Sequence, residues 1–323
     1  MSLRQLYFII NSTILILSTL NANSQVYPIK TIRMLVPLSA GGPTDTLARL
    51  IAHPLSEKLG QTIVIDNRPG AAGNIASEMV AKAPADGYTL FMAGAGSLAI
   101  NVSLFKTLPY HPIRDFSPIT LISSAPFVVT VHPTLPVSSL QSLVALAKKK
   151  PGQLSYGAVT GNAAHLATEL FNSVSGIKVT HIPYKGAAPA TMDLISGQIQ
   201  ISFASTYGAL QYMRVNKLKA LAVTSATRLS QLPQLPTVDE SGYPNYEATT
   251  WIGLVAPVKT PREIIERLNK EIASIIKQPI NRDRILAADF APISTTPEEF
   301  GTFIKSEIEK WSSVVKASGA SAD

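Results

Sequence analysis

Short apolar runs alternate with longer stretches in which apolar positions recur every three or four residues, from Ile32 nearly to the C-terminus. The short runs predict strands at 32–37, 62–66, 88–93, 154–156, 178–182, 199–203 and 218–224. The periodic stretches predict helices at 44–59 (kinked by Pro54), 74–83, 138–149, 163–174, 188–196, 206–214, 261–277 and 297–318. Strand and helix in regular alternation is the rhythm of an α/β protein with a parallel sheet. Two segments break it: 126–133 (PFVVTVHP) and 250–257 (TWIGLVAP), both near-continuous apolar runs with prolines close by. They are expected to be paired crossing strands where the chain leaves one domain and later returns. Domain one is then discontinuous, 25–128 plus 250–323, and domain two is the insert 129–249. The tail 317–323 is expected to lack structure.

The loops after the predicted strands carry the candidate chemistry. Residues 36–49 read VPLSAGGPTDTLAR: a strand, a glycine turn and the start of a helix. Gly41 and Gly42 permit a tight turn, Pro43 suits a first helical position, and Thr44 or Asp45 can cap. The first amides of such a helix lack internal partners and sit at the positive end of its dipole. Ser39, Ala40, Gly41, Gly42, Thr44 and Asp45 are therefore candidates to hold a ligand carboxylate; a plain strand-to-helix turn is written the same way. A second loop of this type is 155–165 (SYGAVTGNAAH), with Gly157, Gly161, the hydroxyl of Thr160 and Asn162 as N-cap. If the two domains face one another, these loops grip two ends of one small anion. Ser97 in 94–97 (GAGS) and Ser205 with Thr206 in 204–207 (ASTY) offer hydroxyls after two further strands. Lys185 either brings a cation to the ligand or is a solvated lysine. Arg68, in the turn 66–70 (DNRPG), is expected in a structural ion pair, and His165 with Glu169 in a structural hydrogen bond.

Composition narrows the function. Twenty-eight basic and twenty-one acidic residues give a net charge of +7, but the basic residues are scattered, with no stripe for nucleic acid. There is no cysteine, so no disulfide, thiolate metal site or thiol nucleophile. His53, His111, His132, His165 and His181 lack metal-ligand spacing, and no metal or cofactor is expected. Arg4, the apolar stretch 6–20 and the small residues 22–24 form a secretory signal, residues 1–24, cleaved near Ser24-Gln25. The mature chain is then expected to be exported, soluble and a monomer. A secreted hydrolase using Ser97 or Thr160 is the other class considered. It lacks a base beside either hydroxyl, and residues 94–98 (GAGSL) lack the closing glycine of G-x-S-x-G. No catalytic residue is assigned, and the chain is not expected to be an enzyme.

In order along the chain stand VPLSAGGPTDTLAR (36–49), DNRPGAAGNI (66–75), AKAPADGYTL (81–90), PYKG (183–186) and GQIQISF (197–203). With these, the chain from YPIKTIRMLVP to the final helix resembles the Bug family, extracytoplasmic solute receptors of the tripartite tricarboxylate transporter system. The resemblance implies a location in the periplasm and a two-domain, type II periplasmic-binding-protein fold that closes like a flytrap. It implies carboxylate ligands: citrate, other di- and tricarboxylates, acidic amino acids or aromatic acids. One carboxylate is typically held by amides and hydroxyls of the first and fourth strand-end loops, often through ordered waters. Those loops correspond to 39–45 and 158–162 here. Ala158 stands where a serine is usual, Asn162 and Ala163 where a hydroxyl is usual, and Gln200 where an aspartate is common. Residues 95–98 (AGSL) replace a more polar stretch. Residues 204–206 lack the acidic side chain some members carry, which favours di- and tricarboxylates or aromatic acids over amino acids. The implied partners are the membrane subunits of the transporter or, alternatively, a sensor kinase.

Overall fold

The structure, a computed structural model, describes residues 27–288 and 290–322. The signal sequence expected at 1–24 lies outside them. Nine strands form one curled sheet: β1 (Ile32–Val36), β2 (Ile63–Asn67), β3 (Thr89–Gly94), β4 (Phe116–Val131), β5 (Ser155–Ala158), β6 (Thr180–Pro183), β7 (Ile201–Ser205), β8 (Lys219–Val223) and β9 (Thr249–Pro257). Their order is β2-β1-β3-β9-β4-β7-β5-β6, with β8 on β4. β1 runs parallel to β2 and β3, and β5 parallel to β6 and β7. Each half of the sheet thus carries the parallel strand–helix rhythm, and β4 and β9 join the halves antiparallel to their neighbours.

β4 is the long beam of the molecule. Its first part pairs with β9 from Phe116↔Pro257 to Pro126↔Thr249. Its last five residues, from Phe127 to Val131, pair with β7, and from Val128 onward also with β8. Crossing strands are therefore present, but their pairing differs from the expected one. The partner of β9 is the stretch before Pro126, whose Ser117, Pro118, Thr120, Ser123 and Ser124 disguise it as a loop. Register shifts between Pro118 and Thr120 and between Leu121 and Ser123 fit it into the ladder. Buried Thr120 donates its hydroxyl to Thr295 O at 3.0 Å, so burial of that polar group is compensated.

The helices pack as their periodicity dictates. Pro43–Leu59 continues past Pro54 and, with Arg262–Lys277, buries Leu47, Ile51, Leu55, Ile265, Leu268 and Ile272 against Met34 and Val36 of β1. On the other face a single apolar cluster runs through both halves, from Leu35 and Phe91 to Val129, Tyr156, Phe171 and Phe203. Trp251 and Trp311 donate their indole N–H groups to buried Glu307 Oε2 at 2.7 and 2.9 Å, and Lys310 pairs with its other oxygen. The C-terminal helix Pro297–Ser318 starts in a capping box between Thr296 and Glu299 and ends at left-handed Gly319. The following residues are not loose as expected: Ala322 N–H donates to Leu104 O at 3.1 Å. Short helices at Asn101–Leu104, Pro112–Asp115 and Pro279–Ala287, and a π-turn at Gly96–Ile100, have no clear periodic signal at this length.

Candidate functional site

The first loop follows β1. Gly42 N–H donates to Ser39 O at 3.2 Å, Gly41 is left-handed at φ +80°, and Pro43 takes the first helical position. The cap differs from the expectation. Gly42 is the N-cap residue, and among the described residues no side chain caps the helix. Asp45 instead reaches back: its Oδ2 accepts the Gly41 N–H at 2.8 Å and the Arg49 Nε–H at 3.0 Å. Its Oδ1 is buried without a hydrogen-bond partner among the described residues. Arg49 and the Gly41 amide hold the Asp45 carboxyl below the usual carboxylate range, against the opposing effect of burial. The glycine amides proposed for a ligand are thus already engaged within the loop. The amides of Thr44 and Asp45, in the first turn at the dipole's positive end, have no protein acceptor among the described residues. Ser39 and Ala40 are exposed and Thr44 is buried. A recess of about 530 Å³ opens beside this loop, lined by Ala40, Gly41, Asp45, Arg49, His53 and Arg284 among others.

The loop after β5 repeats this geometry with other chemistry. Gly161 is left-handed at φ +76°, and Asn162 Oδ1 caps the helix Ala163–Ser175 by accepting the His165 N–H at 2.8 Å. The Gly161 N–H donates to His165 Nδ1 at 2.9 Å. At the strand end, Ala158 O accepts the Tyr184 N–H at 3.0 Å and faces His181 Nε2 at 3.1 Å. Thr160 is exposed, with no hydrogen-bond partner among the described residues. His165 is 5% exposed and its ring stacks on His181 at 4.2 Å between centroids. Burial, and secondarily His181, push the His165 pKa down to about 4. The expected His165–Glu169 bond is replaced: Glu169 Oε1 accepts the Tyr156 hydroxyl at 2.5 Å.

The second loop contacts the first half of the sheet. A Cβ placed on Gly161 would lie 2.5 Å from Leu104 Cδ2, so the second loop touches the short helix that follows the β3 loop. Ser97 in that loop is buried beside Gly73 and Pro37, at the ends of β1 to β3. Its carbonyl accepts the Tyr110 hydroxyl at 2.8 Å, and among the described residues no His, Asp or Glu is hydrogen-bonded to its side chain. Ser205 and Thr206 stand at the end of β7, where both hydroxyls have structural work. Ser205 Oγ accepts the Gly208 N–H at 3.2 Å, and Thr206 Oγ1 donates to Pro126 O at 3.1 Å. Lys185 is exposed after β6 and has no ion pair among the described residues. Arg68 forms its expected ion pair, Nε to Asp66 Oδ1 at 2.8 Å.

One element went unread in the sequence. Ala71 (φ +46°) and Ala72 (φ +52°) are left-handed non-glycines between Gly70 and Gly73. Such residues persist only where their surroundings over-determine them. Here Asn101 Nδ2 donates to Ala72 O at 3.0 Å, and Ser77 Oγ donates to Gly73 O at 2.9 Å. The flanking glycines of GAAG were the only available signal. Among the described residues no cluster of three or more His, Cys, Asp or Glu could hold a metal, and no helix is long and apolar enough to cross a membrane.

An α/β sheet in two halves, joined by two crossing strands and meeting at strand-end loops, is the architecture of a type II periplasmic solute-binding protein. Residues 47–320 match the family described as "Tripartite tricarboxylate transporter family receptor", and the chain belongs to that family. It is 36% identical over 300 residues to protein BugT of Bordetella pertussis, covering 92% of each chain. An R. palustris protein solved with adipate is 37% identical, with a TM-score of 0.79 over 91% of this chain and 98% of that one. MatC from Rhodopseudomonas palustris, solved with bound malate, is 30% identical, with a TM-score of 0.75 over 90% of this chain and 100% of its own. The family is one of receptors, so the chain is a binding protein and not an enzyme.

Proposed function

We propose that the chain captures a small di- or tricarboxylate, or an aromatic acid, between residues 39–45 and 158–162, and delivers it to transporter membrane subunits from the periplasm. The division into 25–128 plus 250–323 and 129–249 belongs to this reading, with closure about β4 and β9 as the signal the partner senses. The observation that supports it is the contact of the Gly161 loop with Leu104, which sets the second helix start against the half of the sheet that carries the first. This reading assigns the anion to the unengaged Thr44 and Asp45 amides, the exposed Thr160 hydroxyl and exposed Lys185 as donors. A hydrogen bond to a charged group contributes about 1.5–3 kcal/mol, and micromolar affinity needs about 8 kcal/mol net, so a few such bonds at each end suffice. Relatives solved with adipate and malate support a carboxylate ligand. The one acidic side chain in the first loop, Asp45, is already paired with Arg49, which leaves no free carboxylate there for an α-ammonium. Native mass spectrometry of the purified mature protein, followed by a thermal-shift screen of dicarboxylic, tricarboxylic and aromatic acids, tests the reading. A copurified acid, or a rise in melting temperature that saturates with ligand, is expected. No stabilisation by any of these acids at millimolar concentration overturns it.

A further inference from the structure

Two imidazoles hold the second loop from beneath, at both of its ends. His181 Nε2 lies 3.1 Å from Ala158 O, and since a carbonyl only accepts, that nitrogen carries the proton. His165 Nδ1 accepts the Gly161 N–H at 2.9 Å, and so carries none. The rings stack on one another at 4.2 Å, and Tyr156 packs against both, 5.1 Å from His181 and 6.1 Å from His165. The two bonds respond differently to acid. A proton added to His181 at Nδ1 leaves its bond to Ala158 intact. A proton added to His165 at Nδ1 sets one N–H against another and expels the Gly161 amide.

We propose that His165 and His181 are positioning residues that clamp residues 158–161 for the ligand, and that the clamp holds only while His165 Nδ1 is unprotonated. This rests on the carboxylate-receptor reading above. Gly161 is the loop residue that touches Leu104 in the other half, so freeing its amide loosens the contact on which closure depends. The other polar groups packed around His165 have partners of their own. Glu169, on the same helix, is hydrogen-bonded to Tyr156 and Asn172. Tyr246 donates its hydroxyl to Ala167 O. Glu307, on the helix Pro297–Ser318 that packs against this one, is held by Trp251, Trp311 and Lys310. Among the described residues, the titratable group that bears on the His165 ring is His181, stacked on it at 4.2 Å. The consequence is a receptor that weakens its hold on a carboxylate as the surroundings acidify.

The test uses the mature protein labelled with ¹⁵N-histidine and ¹⁵N-glycine, titrated downward from pH 7.5. His165 is expected as the neutral tautomer with its proton on Nε2, and the Gly161 amide shift and exchange rate should change at the same midpoint as His165. In parallel, adipate binding is measured across that range for wild type, His165→Asn and His165→Gln. The asparagine Oδ1 stands where Nδ1 stood and does not titrate, whereas glutamine places its acceptor one atom too far. Wild type should lose about tenfold more affinity on acidification than His165→Asn, and His165→Gln should be weak at every pH. A Gly161 amide indifferent to His165 protonation, or the same pH profile in His165→Asn as in wild type, overturns the clamp. Failure of adipate, malate and the other acids to bind at pH 7 counts against the carboxylate reading instead, and the coupling of Gly161 to His165 in the free protein still decides the clamp.

Discussion

The two helix starts that face the proposed ligand share one device built from different chemistry. In each, a left-handed glycine gives its N–H to the side chain four residues on: Gly41 to Asp45 and Gly161 to His165. In the first half the acceptor is a carboxylate anchored by Arg49, which stays ionised at every pH near neutral. In the second it is a buried neutral imidazole, and a second imidazole holds the far end of the loop. The first loop also lacks a side-chain cap, whereas Asn162 caps the second. The comparison teaches that one backbone shape can be fixed by permanent charge or by a titratable neutral group. Under the clamp proposed above, only the latter makes the loop answer to pH. The permanent charge has a cost of its own under the proposed binding, since a ligand carboxylate at residues 39–45 would meet Asp45 and depend on Arg49 to offset it.

Breaking the second loop has the largest expected effect. Gly161→Val places a side chain at φ +76° and drives it into Leu104. Adipate affinity by calorimetry should fall at least about a hundredfold, equivalent to about 3 kcal/mol. Gly42→Ala is the contrasting case: Gly42 lies at φ −76°, and a Cβ there meets only Ser39 O at 3.2 Å. That change should cost less than about tenfold, which shifts the burden of the first turn from Gly42 to Gly41. Next comes acid. The His165 pKa is lower folded than unfolded, so its contribution to stability is full above the unfolded value near 6.5 and is lost as pH falls toward about 4. Urea unfolding should show about 2 kcal/mol lost between pH 7 and 5, reduced in His165→Asn. Asp45→Ala removes the acceptor of the Gly41 amide and the partner of Arg49, at an expected cost of about 1–2 kcal/mol in the same assay. Because folding depresses its pKa, the Asp45 contribution is present above the unfolded carboxylate value and fades only below it, under the range where His165 titrates. The smallest effect is expected for Arg49→Gln, within about 1 kcal/mol, because the Arg49 side chain is 56% exposed.

Much of this was legible in the chain. The strand–helix rhythm of both halves, Pro43 at a helix start, the Asn162 cap and the helix 297–318 follow from local rules that tertiary packing left intact. What escaped depended on partners distant in sequence. Phe116 to Ala125 reads as a loop because its serines, threonine and proline are polar or rigid. It is a strand because β9 and Thr295 satisfy it. Ala71 and Ala72 favour right-handed backbone, and distant Asn101, on Ala72 O, joins the local bonds of Asn74 N–H to Ala71 O and Gly73 N–H to Gly70 O in holding them otherwise. The histidines looked dispersed because the pairing of β5 with β6 is what brings His181 over His165. In the first loop, Asp45 was read as a cap because its type suits one. Its actual role needed the turn at Gly41 to be seen first.

The central claim is that both loops engage one ligand together. Adipate titrated into the ¹⁵N-labelled mature protein at pH 7.5, with backbone amides assigned, tests it most directly. Thr44, Asp45, Thr160 and Gly161 are expected to shift together with one dissociation constant. Shifts confined to one of the two loops, or to the recess at Arg49, His53 and Arg284, contradict it.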